Sequence, residues 1–353
     1  MFNQWRLLLL LLLCGTILIS CADNSSQQES QTESAVSDLQ AKTPVYALVT
    51  KDKDNPYMQK MEEGFKSACA ELGAEAICLG PSDYSAQEQI DLVEHLIDLN
   101  VGTVAIAVND ADVLQAALQK AMEKGIGVVS LDSAANAESR MLHIQQADPE
   151  KVGRVLIQAA AHMIDNQGTI GVITTTGQAT NQNLWIEWLK QEVEDYPEKY
   201  KDIRLLSEVY GNDDYEMTVT QTLYLLNEYP DLDIIITPSV VSMAAVGHTL
   251  REQNSKVLFT GLGLPSEIAD YIEFDKSCPW FYLWNPIDLG YLSAYASYAL
   301  DGGEIAGEVG DSFMAGSLGR RVVVPSSDGG TEALLGDPMK FDKDNIALWR
   351  IVY

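Results

Sequence analysis

Basic residues are scarce in this chain. Against 51 Asp and Glu stand only 23 Lys and Arg, a formal net charge of −28 over 353 residues. Phosphate-backbone binding depends on Lys and Arg releasing counterions, so this balance argues against nucleic acid or an anionic membrane surface as partner. It is compatible with a neutral or cationic ligand, or with nothing beyond solubility. Histidine is rarer still: His95, His162 and His248 fall in helical patterns and His143 in a strand-like run, none beside a nucleophile. With no GxSxG elbow and no HExxH pair, the sequence offers no acid–base machinery, and no enzyme is expected. The five cysteines show no CxxC or Cys/His spacing. Zinc is therefore not indicated, and Cys69, Cys78 and Cys278 read as free thiols.

Long apolar runs are also missing, with one exception at the N-terminus. Leu7–Leu13 is an unbroken leucine run preceded by Arg6 and followed by a stretch ending at Ile19. It is short for a transmembrane helix and has the charge and length of a signal peptide. Leu18-Ile19-Ser20-Cys21 resembles the bacterial lipobox. That resemblance implies a signal peptide at 1–20 and a lipidated Cys21; a plain secretory signal cut elsewhere is the alternative. The next stretch, through Thr43, is rich in Ser, Gln, Glu, Asp and Asn with almost nothing to bury. Such a composition stays disordered, and the segment 21–43 is expected to be a tether with a reach of about 25 Å. The folded body is thus expected outside the cytoplasm, anchored to the cell membrane by lipid alone.

The body alternates strands and helices. Strand-like runs lie at Val45–Thr50, Glu75–Leu79, Thr103–Val108, Gly127–Leu131, Met141–Ile144, Ile170–Thr174, Arg204–Val209, Ile234–Thr237, Val257–Thr260 and Trp280–Trp284. Between them, "MQKMEEGFKSACAELG" puts Met58, Met61, Phe65, Ala68 and Leu72 on one helical stripe, and "VLQAALQKAMEKG" stops on Gly125. Strands apolar nearly throughout and separated by helices imply parallel sheets covered on both faces. Ten strands are too many for one compact sheet. The expected fold is α/β, two Rossmann-like lobes joined by a multi-strand hinge. The first lobe takes 44–143 plus about 286–318, and the second takes 144–285 plus about 319–353.

In open α/β sheets, ligands bind at the carboxyl ends of strands. Those ends carry Lys51 to Tyr57, Asn109-Asp110 and Asp132-Ser133 in the first lobe. In the second they carry Thr175 to Gln182, Pro238-Ser239, Gly261 to Pro265 and Trp284-Asn285. Gly261-x-Gly263-x-x-Ser266 imitates a dinucleotide fingerprint, but its third glycine is missing and no acidic residue ends a strand about 20 positions on. Asp52 and Asp54 imitate the start of a calcium loop, but Pro56 and Tyr57 stand where a ligand and a glycine are required. No cofactor and no metal is expected. A polyol fits better, because its hydroxyls both donate and accept, and carboxylates and amides answer both roles. Tyr57 and Trp284 offer rings for the C–H face of a sugar; Trp284 reads equally as core and Asp132 equally as a cap. The candidate ligand-binding set is Lys51, Asn55, Tyr57, Asn109, Asp110 and Asp132 from the first lobe. Asn181, Gln182, Pro238, Gly263, Trp284 and Asn285 complete it.

These residues sit in blocks with a familiar order. "DNPY", "SLD", "NDADVLQAALQKAMEKGIGVVSLDS", "QQADPEKVG", "ATNQNLW", "TGLGLPSE" and "LWNPIDLGYL" resemble the periplasmic-type, ribose-binding-like solute-binding proteins of ABC importers. Within that group they are similar to the rhamnose-binding proteins and the relatives that bind autoinducer-2. The resemblance spans Pro44 to Tyr353 and implies a type I periplasmic binding protein. Such a protein closes on a monosaccharide and delivers it to a permease and its ATPase, working as a monomer without turnover. It also places Lys51, Asp132, Asn181, Gln182 and Pro238 at ligand-contacting positions. Asn181 stands where the autoinducer-2 relatives carry Asp, and Val240 where they carry Ala, which favours a deoxyhexose such as rhamnose. Autoinducer-2 binding, or a sugar-sensing subunit of a signalling receptor, remains the alternative.

Overall fold

The computed structural model describes residues 43–82 and 84–353. The expected signal peptide, Cys21 and nearly all of the tether lie outside these described residues. Among them, no helix is long and apolar enough to cross a membrane.

The first sheet is built from β1 (Val45–Val49), β2 (Glu75–Leu79), β3 (Thr103–Ile106), β4 (Gly127–Leu131) and β5 (Leu142–Gln145). The second contains β6 (Gly168–Thr174), β7 (Ile203–Leu205), β8 (Val209–Tyr210), β9 (Leu232–Thr237) and β10 (Leu258–Gly261). All of these pair in parallel. Strands β3 and β5 are buried at every residue, and β1, β4 and β6 at nearly every one. Their apolar character follows from helices covering both faces.

The helices are α1 (Pro56–Leu72), α2 (Ala86–Leu99), α3 (Ala111–Glu123), α4 (Pro149–Met163), α5 (Thr180–Asp195), α6 (Tyr215–Glu228), α7 (Val240–Glu252) and α8 (Pro286–Asp301), with shorter turns between some of them. Local chemistry sets their limits. Asn55 caps α1, its side-chain oxygen accepting from the amides of Tyr57 (2.9 Å) and Met58 (3.4 Å), with Pro56 in the first turn. Gly73 ends that helix at φ 68°, a conformation glycine adopts freely. Helix α8 follows the second lobe in sequence but docks on α1 of the first. A Cβ on Gly64 would stand 1.8 Å from the Ile287 carbonyl oxygen, and one on Gly290 would stand 1.8 Å from that of Met61. Only a glycine on each helix permits this approach.

The remaining strands are β11 (Trp280–Leu283), β12 (Ser312–Met314), β13 (Arg320–Val322), β14 (Val324–Pro325), β15 (Thr331–Leu334) and β16 (Met339–Asp342). They correct the expected lobe boundaries. Residues 319–353 do not belong wholly to the second lobe. β13 pairs with β12, while β15 adds in parallel to β5 and carries β14 on its outer edge, giving a first sheet ordered β14-β15-β5-β4-β3-β1-β2. Only at β16 does the chain reach the second lobe, pairing antiparallel with β11, which a Leu262–Tyr282 bridge joins to the end of β10. The physical reason is the open edge of β5: the Leu335 amide donates to the Gln145 carbonyl at 2.8 Å, completing that strand's ladder. The chain therefore crosses between lobes after β5, around Trp284-Asn285, and between β15 and β16.

Candidate functional site

The carboxyl ends of the two sheets meet across a cleft. Gln89 organises its first-lobe side. Fully buried, it donates to the carbonyls of Thr50 (2.9 Å) and Ala107 (2.8 Å) and accepts from the Asn109 amide (2.8 Å), tying the ends of β1 and β3 together. Lys51, next along, projects toward the end of β4. Its ammonium lies 2.9 Å from Asp132, both side chains almost wholly buried, and also touches the Ser133 hydroxyl. Asp132 has φ 60°, a left-handed conformation that Asp tolerates better than most side chains. The Tyr57 hydroxyl donates to Asp132 (3.3 Å) and accepts from the Trp284 indole N–H (2.7 Å).

The second lobe answers with its own polar groups. Gln182, in the first turn of α5, accepts from the Thr174 hydroxyl (2.8 Å) and from the amide and hydroxyl of Thr175 (3.1 Å each). Asn181 accepts from Ser133 of the opposite lobe at 3.1 Å. Asp213, in the turn after β8, accepts from Asn55 of the first lobe at 3.2 Å and from the Ser239 hydroxyl.

Burial and charge tune these groups. Burial alone would lower the Lys51 ammonium, but the Asp132 carboxylate outweighs it and holds that ammonium above its ordinary value. Burial, reinforced by Asp132, raises the Tyr57 hydroxyl well above the usual phenol range. Burial pushes Tyr84 up to about 12, its ring 5.8 Å from the Lys51 ammonium. The Asp213 carboxyl is also held above the ordinary carboxylate value, by burial first and by the neighbouring Asp132 charge against the opposing pull of Ser239 and Lys51.

The atom-free space of the cleft, solvent at its mouth included, is ≈ 410 Å³. Of the residues expected from the sequence, Lys51, Asn55, Tyr57, Asp132, Asn181, Gln182, Pro238 and Trp284 line it together. Four others do not. Asn109 is buried behind the wall, donating to the Lys51 carbonyl at 3.0 Å. Asp110 caps α3, accepting from the amides of Asp112 and Val113 at 3.0 Å. Asn285 caps α8 in the same way, through Ile287 (3.0 Å) and Asp288 (3.4 Å). Gly263 is enclosed by Ile268 and Met243, which a Cβ there would meet at 2.8 and 2.9 Å. Helix capping engages Asp110 and Asn285, close packing surrounds Gly263, and a backbone hydrogen bond holds Asn109.

Sequence reasoning passed over Asp213 and Tyr84. It also left out most of an apolar wall of Met58, Trp185, Val240, Leu262 and Leu283, of which only Val240 was noted, as a departure from the autoinducer-2 relatives. Trp185 and Trp284 stand with ring centroids 5.5 Å apart along that wall. The cleft thus has a polar end with two carboxylates and one ammonium, and an apolar end. The carboxylate of Asp132 already neutralises Lys51, so an anionic ligand finds no uncommitted cation there.

The description "Periplasmic binding protein domain" fits residues 46–304 of this chain. The chain belongs to the periplasmic binding protein family. Its two lobes of mainly parallel strands are the type I form of that fold. An ABC transporter solute-binding protein from Clostridium phytofermentas, solved with bound L-rhamnose, is 39% identical over 89% of this chain and 100% of its own, with TM-score 0.85. A sugar ABC transporter protein from Actinomyces odontolyticus is 34% identical over 86% of this chain and 96% of its own, TM-score 0.69. LsrB from Clostridium saccharobutylicum, solved with AI-2, is 20% identical over 86% of this chain and 98% of its own, TM-score 0.79, a likeness of fold alone. The D-ribose/D-allose-binding protein of Pseudomonas aeruginosa is 25% identical over 201 residues. That match spans 55% of this periplasmic binding protein and 61% of the relative.

Proposed function

We propose that this protein is the sugar-binding component of an ABC importer. In this reading it binds a monosaccharide, L-rhamnose first among candidates, in the inter-lobe cleft and delivers it to a permease and its ATPase. Binding involves no chemistry on the ligand. The two lobes close because the sugar touches both at once, shifting an equilibrium between open and closed forms. Anchoring through a lipid on Cys21 outside the cytoplasm, and action as a monomer, belong to the same proposal.

One observation carries the reading. Hydrogen-bonding side chains from both lobes meet an apolar wall within one small cleft: Lys51, Asn55, Asp132, Asn181, Gln182 and Asp213 face Met58, Trp185, Val240 and Trp284. A neutral polyol with one apolar edge matches such a lining, and a 6-deoxyhexose supplies that edge as its methyl group. The L-rhamnose in the Clostridium phytofermentas relative supports the same choice. The runner-up ligand is autoinducer-2, and the runner-up role is a sugar-sensing subunit of a signalling receptor. Val240 on the cleft wall favours the deoxyhexose, because its methyl groups extend the apolar surface against which a C–H edge packs.

Calorimetric titration with rhamnose, fucose, ribose, xylose, galactose and autoinducer-2 tests the reading. Rhamnose is expected to bind most tightly. Binding of autoinducer-2 alone would overturn the choice of ligand, and binding of none would overturn the sugar reading.

A further inference from the structure

We infer that the site extends beyond one sugar ring and takes a disaccharide, its second unit seated in a chamber beside the cleft. This rests on reading the cleft as a sugar site. The chamber has a volume of ≈ 330 Å³, and Asp132 and Asn181 line both it and the cleft. A volume of that size lies in the range of about 300–1,000 Å³ usual for ligand pockets.

The partition between the two spaces consists of side chains. Ser133 donates to Asn181 at 3.1 Å, and Lys51 pairs with Asp132 at 2.9 Å. Ser133 and Asn181 come from opposite lobes, so this part of the partition exists only while the lobes are together. A two-ring ligand entering the open form meets no wall there, and on closure its linkage takes the place of the direct Ser133–Asn181 hydrogen bond. The outer chamber is likewise shared between lobes. Gln145 and Ser327 come from the first, and Asn183 and Glu187 from the second.

Its chemistry continues that of the cleft. Amides, hydroxyls and carboxylates line it, the groups that answer sugar hydroxyls as donors and acceptors. Arg140 is committed to Asp328 (2.8 Å) and to the Ala135 carbonyl. The carboxylates of Glu187, Asp328 and Glu332 around the chamber disfavour a phosphorylated or uronic second unit. The second unit is therefore a neutral sugar.

The test titrates the full chain with matched pairs: rhamnose and a rhamnose disaccharide, xylose and xylobiose, galactose and a galactose disaccharide. At least one disaccharide is expected to bind within about tenfold of its monosaccharide. Ser327→Trp and Glu187→Trp, which place a ring at the chamber and leave the cleft untouched, are expected to weaken the disaccharide at least about tenfold and the monosaccharide by less than about twofold. Disaccharides more than about a hundredfold weaker than their monosaccharides overturn the chamber, as does a block that affects both ligands equally. If xylose or galactose pairs respond and rhamnose pairs do not, the choice of rhamnose fails while the chamber stands. If no sugar of either length binds, both readings fall.

Discussion

Asn55 and Asp213 join the two lobes directly, the Asn55 amide donating to the Asp213 carboxylate at 3.2 Å across the mouth of the cleft. Asn55 caps α1 with its other side-chain atom, so the same residue starts a first-lobe helix and reaches the second lobe. Hydrogen bonds to a charged group contribute about 1.5–3 kcal/mol, and Asp213 accepts two, the second from Ser239. Asp213→Ala is expected to weaken sugar binding roughly 10- to 150-fold and to leave the unliganded protein more open by small-angle scattering. Unchanged affinity and unchanged dimensions would remove Asp213 from the closing contact.

Lys51 and Asp132 form an ion pair that water scarcely reaches. Breaking it from one side leaves a buried charge without its partner, at a cost of about 3–5 kcal/mol. Asp132→Ala is thus expected to lose both binding and stability. Replacing both partners by uncharged residues of similar volume removes the stranded charge. The double variant Lys51→Met, Asp132→Asn, which keeps at 132 a side chain that tolerates the left-handed backbone, is expected to recover most of the melting temperature while binding stays lost. A double variant as unstable as the single one would show that the stranded ammonium is not what destabilises Asp132→Ala.

How much of this was legible in the sequence depends on burial. Strands β1 to β11 sit in sheets covered by helices or beside them, so most announce themselves as apolar runs closed by polar turns. Strands β12 to β16 have two to four residues each, and β13 and β14 are largely exposed. A stretch such as "GEVGDSFMAGSLGRRVVVPSSDGG" consequently has no usable period. At the site, the end-of-strand rule led to loops that line the cleft but could not say which side chain turns inward. Asp110 and Asn285 were drawn off as helix caps and Gly263 by packing. Asp213 escaped because its strand is broken into β7 and β8, and "GNDDY" reads as a turn running into the Asp214 cap of α6. Applying the same rule to the end of β8 would have found it.

His143 makes the fold sensitive to acid. It is fully buried, its ring between Ser130 (2.9 Å) and Gln145 (2.9 Å), with Glu332 its register partner on β15. Burial, then the Arg140 charge, lowers it from the ordinary 6.5 to about 3, against weaker opposing pulls from Gln145 and Asp328. The unfolded chain takes up this proton near 6.5 and the folded chain does not until about 3. Stability from this residue is therefore complete above the ordinary value and is lost as pH falls through the window between the two. The slope is at most about 1.4 kcal/mol per pH unit. Melting temperatures between pH 7 and 4.5 are expected to fall less steeply for His143→Gln than for the native protein. Parallel slopes would mean that other groups carry the acid sensitivity.

The glycine pair at the α1–α8 contact links stability to the site. At Gly64 and at Gly290 a Cβ would stand 1.8 Å from a backbone oxygen of the other helix, so neither clash is relieved by turning a side chain. Overpacking of this kind costs about 1–3 kcal/mol, and more where backbone must move. Helix α1 begins at Pro56 beside Tyr57, and α8 begins at Pro286 two residues after Trp284, the two residues that hydrogen-bond at 2.7 Å on the cleft wall. Forcing the helices apart pulls on that bond. Gly64→Ala and Gly290→Ala are each expected to lower the melting temperature and to weaken sugar binding. The two substitutions share one contact, so their effects should not add: once one Cβ has separated the helices, the second finds room. A thermal-unfolding cycle over the two single variants and the double variant measures this, and full additivity would show that each glycine accommodates its methyl independently.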